Sequence, residues 1–167
     1  DMAIRFNNTY GETLIVPKPD IEKTTQLVPG IDGQKMSKSY NNTIPLFDTD
    51  KKLRKQIMRI VTDTTDIDDP KNKDTPLFHL YSLFLDEREQ KSLADRYEGK
   101  GLRYGDVKQE LYEKVLDVFG PFREKRENLI SNPKLVHEIL DTGAKKAQQV
   151  AEEVLDRVRS ASGVNYN

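Results

Sequence analysis

The sequence predicts a mostly α chain in which the tail of an α/β unit is followed by a bundle of helices. Two observations carry this reading. Beyond about residue 50, apolar residues recur at spacings of three and four between short polar connections. Before that point only residues 13–16 have the β-branched, apolar character of a strand, closed by Pro17. One strand builds no sheet, so the remaining strands of such a unit are expected upstream.

The elements follow in order. Residues 1–10 read as the end of a helix, with Met2, Ala3 and Phe6 on one side and Gly11 as its stop. Residues 18–34 break every periodic pattern, and Pro19, Pro29, Gly30 and Gly33 predict a connecting loop with tight turns. Asp50 is placed to cap a helix over 51–60 whose inner face is Leu53, Ile57 and Ile60. A polar loop over 62–75 leads to Pro76 at the start of the next helix, with Leu77, Leu80, Tyr81 and Phe84 on one face. A further helix covers 86–98, and Gly99, Gly101 and Gly105 form a turn. Asp106 with Gln109 makes a capping-box-like start for a helix over 107–119, striped by Val107, Leu111, Val115 and Val118. Another helix spans 121–130. Asn132-Pro133 reads as a cap followed by a first helical position. The last helix, from about 144 to 161, carries a seam of Ala147, Val150, Ala151, Val154, Leu155 and Val158. The boundary between the two halves falls near residues 44–50.

Composition excludes several functions. Acidic and basic residues nearly cancel, 28 against 27, so a general basic coat for nucleic acid is absent and any RNA contact must come from local patches. Cysteine is absent, which removes disulfides, thiolate nucleophiles and zinc–thiolate sites and fits a reducing cytoplasm. No apolar run is long enough to cross a bilayer, and no basic-then-apolar leader opens the chain. The opening Asp1-Met2 reads as that of an excised piece.

The stretch from Val28 to Tyr40 carries the chemistry. Lys35 and Lys38 share a loop with the hydroxyls of Ser37 and Ser39, and Gly30 and Gly33 lie just upstream. Ammonium groups are compact charges on flexible stems that can follow phosphate oxygens, and hydroxyls and loop amides add donors. Taken alone, the residues fit a polyphosphate clamp or a solvated Lys/Ser loop.

Lys35-Met36-Ser37-Lys38-Ser39 is identical to the second signature of class I aminoacyl-tRNA synthetases. Its surroundings extend the match. They include Asp1-Met2-Ala3-Ile4-Arg5-Phe6-Asn7, Pro29-Gly30-Ile31-Asp32-Gly33, Asn42-Thr43-Ile44-Pro45-Leu46 and Tyr97-Glu98-Gly99-Lys100-Gly101. Near the end come Asn132-Pro133, Gly143-Ala144-Lys145-Lys146-Ala147 and Val158-Arg159. Together these resemble the C-terminal portion of bacterial-type tryptophanyl-tRNA synthetases over nearly the whole chain.

The resemblance implies a division of labour. Residues 1–47 would be the C-terminal part of a Rossmann-like catalytic domain, and 48–167 an all-helical anticodon-binding domain. It implies that tryptophan is activated with ATP to tryptophanyl-adenylate and then passed to tRNA(Trp). Lys38 would bind the departing pyrophosphate and Lys35 would support it, as the catalytic pair. Ser37 and Ser39 would orient the loop or donate to phosphate, Met36 would anchor it by packing, and the Leu27 backbone would approach adenine. Mg²⁺ would accompany ATP. The parent is expected to be a cytoplasmic homodimer without membrane contact. The first class I signature, His-x-Gly-His, is missing: His79 and His137 lack the glycine and read as ordinary helix residues. The fragment alone is therefore expected to be inactive.

Lys51, Lys52, Arg54, Lys55 and Arg59 cluster on one predicted helix and fit tRNA phosphates and a solvated face equally well. Arg123, Lys125, Arg126, Lys145 and Lys146 are interleaved with acids and favour the solvated face. The acidic run 62–69 fails the calcium-loop pattern at Pro70 and Lys71, and the glycines near 100 lack dinucleotide spacing. Tyr81 fits a core face, whereas Tyr97, Tyr104 and Tyr112 fit either the core or stacking on bases. Three rival readings stay open: an isolated tRNA-binding module, a tyrosyl sister enzyme, and a generic helical interaction domain.

Overall fold

Helices supply the regular structure of the described residues, 1–22, 25 and 27–164, in a computed structural model. In chain order they are α1 (Met2–Tyr10), a 3-10 turn (Lys38–Tyr40), α2 (Asp50–Met58), α3 (Pro76–Ser82), α4 (Glu87–Glu98), α5 (Tyr104–Ser131) and α6 (Pro133–Ser162). Among the described residues the only strand-like pairing is an isolated antiparallel bridge between Pro29 and Lys35. The mostly helical expectation is therefore met. Two compact units exist, Ile21–Lys125 and Asp1–Asp20 with Arg126–Asn167.

The Ile21–Lys125 unit holds the buried core. Leu53, Ile57, Ile60, Leu77, Leu80, Leu93, Tyr97, Val107, Leu111 and Val115 are sealed from solvent, with Ile31 and Leu102 nearly so. The apolar faces expected on α2, α3 and α5 fall among these residues, with Tyr81 and Phe84 half-buried against them, although Val118 is 38% exposed and leaves the stripe. Local chemistry fixes the helix starts. Thr49, rather than Asp50, caps α2, its hydroxyl accepting the Lys52 amide, while Asp50 sits in the first turn where a carboxylate favours the helix dipole. Thr75 caps α3 ahead of Pro76. Asp86 forms a reciprocal capping box with Glu89, with bonds of 2.7 and 3.0 Å.

Three sequence expectations are corrected. Residues 13–16 are not a strand: the amides of Thr13 and Leu14 donate instead to the Asn7 side chain, and Ile15 is exposed. β propensity without a partner strand gives no ladder. The helices expected over 107–119 and 121–130 are one, α5, which starts at Tyr104, takes in Gly105 and runs through Pro121. Asp106 is then a first-turn acid and not a cap. Pro121 and Asp117, whose carbonyl loses its helical partner to the proline, are both exposed residues, where water can serve an orphaned oxygen. Likewise α6 is continuous from Pro133, with Asn132 as its cap, so the last helix begins eleven residues earlier than the seam suggested. Of that seam, only Val154 and Val158 are half-buried. The connecting segment 18–34 is irregular as expected; positions 23, 24 and 26 lie outside the described residues.

The polar loop between α2 and α3 is stapled by a buried lysine. Lys71 is 5% exposed; its ammonium donates to the Thr65 carbonyl at 3.0 Å and to the Asp66 carbonyl, and it lies 5.6 Å from the Tyr104 ring centre. Its amide donates to the Tyr97 carbonyl at 2.6 Å. Tyr104 in turn donates to Asp63 at 2.9 Å, and burial followed by Asp63 pushes its phenol up to about 12. Tyr97 and Tyr104 are thus committed to packing and not to stacking on bases. Lys71→Met should lower stability by about 2 kcal/mol, because two carbonyls lose a charged donor, and urea denaturation measures it.

Candidate functional site

The loop bearing the two lysines is a short hairpin that ends in a turn. The Gly30 amide donates to the Gln34 carbonyl at 2.6 Å and the Met36 amide to Val28 at 2.9 Å, closing residues 28–36. Gly33 takes φ +84°, a conformation open to glycine, at the tip. Ile31 is buried in the core, and its carbonyl accepts the Val61 amide at 2.8 Å, so the hairpin is fastened to the segment after α2. Met36 is half-buried against the same core.

Ser37 ends the hairpin and caps the 3-10 turn of Lys38–Tyr40, its oxygen accepting the Ser39 amide at 3.2 Å. Asn41 closes that turn with φ +52°, a left-handed conformation that asparagine tolerates. Lys35, Lys38 and Ser39 are exposed, and among the described residues neither lysine takes part in an ion pair. Two cations are therefore held on an ordered backbone with their side chains in solvent. That arrangement suits a mobile polyanion better than a structural ion pair.

Two grooves flank the loop. One, of about 380 Å³, is lined by Asn41, Thr43 and Pro45 and by Lys52, Lys55, Gln56 and Arg59 of α2. It makes the basic helix face continuous with the end of the turn. Within that face Lys52 pairs with Asp48 at 3.1 Å, Arg54 donates to Gln109 at 3.1 Å and Arg59 to Gln56 at 3.2 Å. Lys51 and Lys55 are exposed. The other groove, about 610 Å³, is lined by Leu27, by Pro29 and Gly33 of the hairpin, and by residues including His79 and Asp74, which are 2.9 Å apart. Leu27 thus lies beside a different groove from the α2 basic face.

The sequence reading passed over two residues here. Arg123, expected on a solvated face, is mostly buried: it donates to the Leu46 and Asp48 carbonyls at 3.3 and 2.7 Å and pairs with Asp50 at 2.5 Å, tying α5 to the start of α2. Asn42 is buried beneath the lysine loop, with its side chain spent on residues 32–37. Neither has a periodic or compositional signal, since both act on main-chain groups brought close only by folding.

Residues 1–120 match the model of the family described as tRNA synthetases class I (W and Y). The chain belongs to that family. The synthetase chain is 47% identical over 165 residues to the tryptophan–tRNA ligase of Rhodopirellula baltica and 44% identical over 168 residues to that of Fusobacterium nucleatum. These matches cover 98% and 100% of this chain but 52% of each relative. The chain thus spans about half the length of the curated relatives it matches. A solved tryptophanyl-tRNA synthetase of Campylobacter jejuni, complexed with ADP and tryptophan, superposes with TM-score 0.79 at 42% identity, over 97% of this chain and 51% of the other. No helix among the described residues is long and apolar enough to cross a membrane.

Proposed function

We propose that this chain is the C-terminal portion of a tryptophan–tRNA ligase and supplies its pyrophosphate-binding loop and a helical tRNA-binding part. One observation carries the reading: Lys35 and Lys38 stand exposed and unpaired, among the described residues, on a hairpin and turn closed by the Gly30–Gln34, Met36–Val28 and Asn41–Lys38 backbone hydrogen bonds. The names of the relatives and the ADP and tryptophan in the Campylobacter complex support tryptophan as the amino acid. Residues 1–47 would complete a Rossmann-like catalytic domain, and 48–167 would serve the anticodon end.

In the first step the tryptophan carboxylate attacks the α-phosphorus of ATP, and the bond to the bridging oxygen breaks, releasing pyrophosphate. Negative charge grows on that leaving group. Lys38 would meet it, Lys35 would support it, and Ser37, Ser39 and the loop amides would orient it, with Leu27 and Met36 on the nucleotide's flank. In the second step a terminal ribose hydroxyl of tRNA(Trp) attacks the tryptophanyl carbonyl, and AMP leaves. Mg²⁺ accompanying ATP is part of this proposal. A homodimer acting in the cytoplasm belongs to the same proposal.

The test is ATP–pyrophosphate exchange by the full-length protein. Tryptophan should support it and tyrosine should not; the reverse would make the protein the tyrosyl sister, and exchange with neither would leave an RNA-binding module. For the α2 face, Lys51→Gln with Lys55→Gln should weaken tRNA binding and lower the slope of log affinity against log salt by about 1–2, roughly one for each phosphate no longer neutralised. An unchanged slope would return that face to solvent.

A further inference from the structure

One buried side chain spends all of its polar atoms on the lysine loop. Asn42 is 1% exposed. Its Oδ1 accepts the Ser37 amide at 2.8 Å, and its Nδ2 donates to the Asp32 carboxylate at 2.8 Å and to the Lys35 carbonyl at 3.2 Å. Its own carbonyl accepts the Ile31 amide at 2.9 Å. Every partner falls within residues 31–37, and none lies on a helix of the bundle. Burying an amide is unfavourable unless it is fully bonded, and an apolar residue would fill the same space without that requirement. The polar choice therefore serves the loop and not the core.

The positions of these bonds matter for the lysines. The Lys35 carbonyl is held directly. The Ser37 amide is held next, and Ser37 is the residue that caps the turn opening with Lys38. The hairpin itself brings the Gly30–Gln34, Gly33–Gly30 and Met36–Val28 bonds, and so short a two-stranded pairing is marginal alone. Asp32 completes the arrangement: its Oδ1 also accepts the Gln34 amide at 3.1 Å, so one carboxylate oxygen joins the hairpin tip to Asn42.

We propose that Asn42, partnered by Asp32, is a positioning residue that fixes the backbone of Lys35 and of the Lys38 turn, and so the direction from which both ammonium groups reach a polyphosphate. The kinetic consequence rests on the adenylation reading; the structural one does not. In tryptophan-dependent exchange by the full-length protein, Asn42→Ala lowers kcat about 30-fold with the KM for tryptophan within about twofold, the pattern of misplaced groups that act as the bond breaks. Asn42→Asp keeps the acceptor for Ser37 but sets a carboxylate against Asp32, and it lowers kcat about as far. Adding Asp32→Asn to Asn42→Asp restores a donor facing an acceptor and recovers kcat about fivefold.

Hydrogen exchange at the Ser37 amide reads the same latch without any activity. It should quicken about tenfold in Asn42→Ala while core amides of α2 and α5 stay protected. If the unaltered protein shows no exchange with tryptophan, the reading as a tryptophan-activating enzyme fails, and the Ser37 amide still decides the latch. Where exchange is present, a kcat within twofold in Asn42→Ala overturns the positioning role. An equal loss of kcat and tryptophan affinity, or no recovery by the swapped pair, overturns it as well.

Discussion

Lys38→Ala in the full-length protein is expected to lower the rate of tryptophan adenylation by about 10²–10³-fold, with tryptophan affinity nearly unchanged. The reason is when the charge appears. On the proposed function, tryptophan binding would bring no phosphate charge to this loop, whereas cleavage of the bond to the α-phosphorus would put a growing anion on the departing pyrophosphate. A cation held ready on an ordered turn stabilises that state more than the ground state, and only such a difference raises kcat. Lys35→Ala should cost less, because Lys35 precedes the turn and its carbonyl is tied to Asn42. Lys38→Arg should recover only part of the loss: the guanidinium keeps the charge but is a planar fork where a compact, rotating donor is wanted. Single-turnover formation of the adenylate, measured beside tryptophan affinity, checks all three. Equal losses in rate and affinity would assign Lys38 to ordinary substrate binding.

How much of this was legible in the sequence depends on the range over which each signal acts. The inner faces of α2, α3 and α5 were readable because spacings of three and four turn directly into one side of a helix, and ten of the eleven residues named for them are buried or half-buried in the core. The starts at Pro76 and at Asn132-Pro133 were readable because a first-turn proline and a cap are local signals. The continuity of α5 was not. A proline is a strong local break signal, and only the solvent exposure of Pro121 and Asp117, a property of the folded molecule, shows why it does not end the helix here. The strand expected over 13–16 failed for the opposite reason: propensity was present and a partner was not. In the site, the five residues from Lys35 to Ser39 were visible as a string, but what holds them was not. Asn42 reads as one more polar residue after a loop until folding carries it beneath the hairpin. Arg123 reads as a charge among charges until its guanidinium is found against carbonyls some seventy-five residues away in the chain.

Gly30→Ala is the second substitution with a large expected effect, and it tests the latch from the other side. A Cβ at Gly30 would stand 2.3 Å from Cγ and Nδ2 of Asn42 and 2.8 Å from its Cβ. Ordinary carbon contacts need more than 3 Å, and Asn42 is buried, so its amide cannot move aside without giving up Ser37, Lys35 and Asp32. The substitution should therefore lower stability by about 2–3 kcal/mol, as overpacking does, and free the Ser37 amide to exchange as Asn42→Ala does. In the exchange assay the rate should fall about 100-fold, the loss that a displacement near 1 Å imposes on aligned groups. The decisive comparison is the double variant. In an Asn42→Ala background the two closest atoms are gone and the nearest that remains is the Cβ of residue 42, so Gly30→Ala should cost about half as much stability there, and the two substitutions should be clearly non-additive. Thermal and urea unfolding of the four proteins measures the coupling. Simple additivity would mean that the clash is relieved by a backbone shift elsewhere, and that Gly30 is small for a reason unconnected with the side chain packed on it.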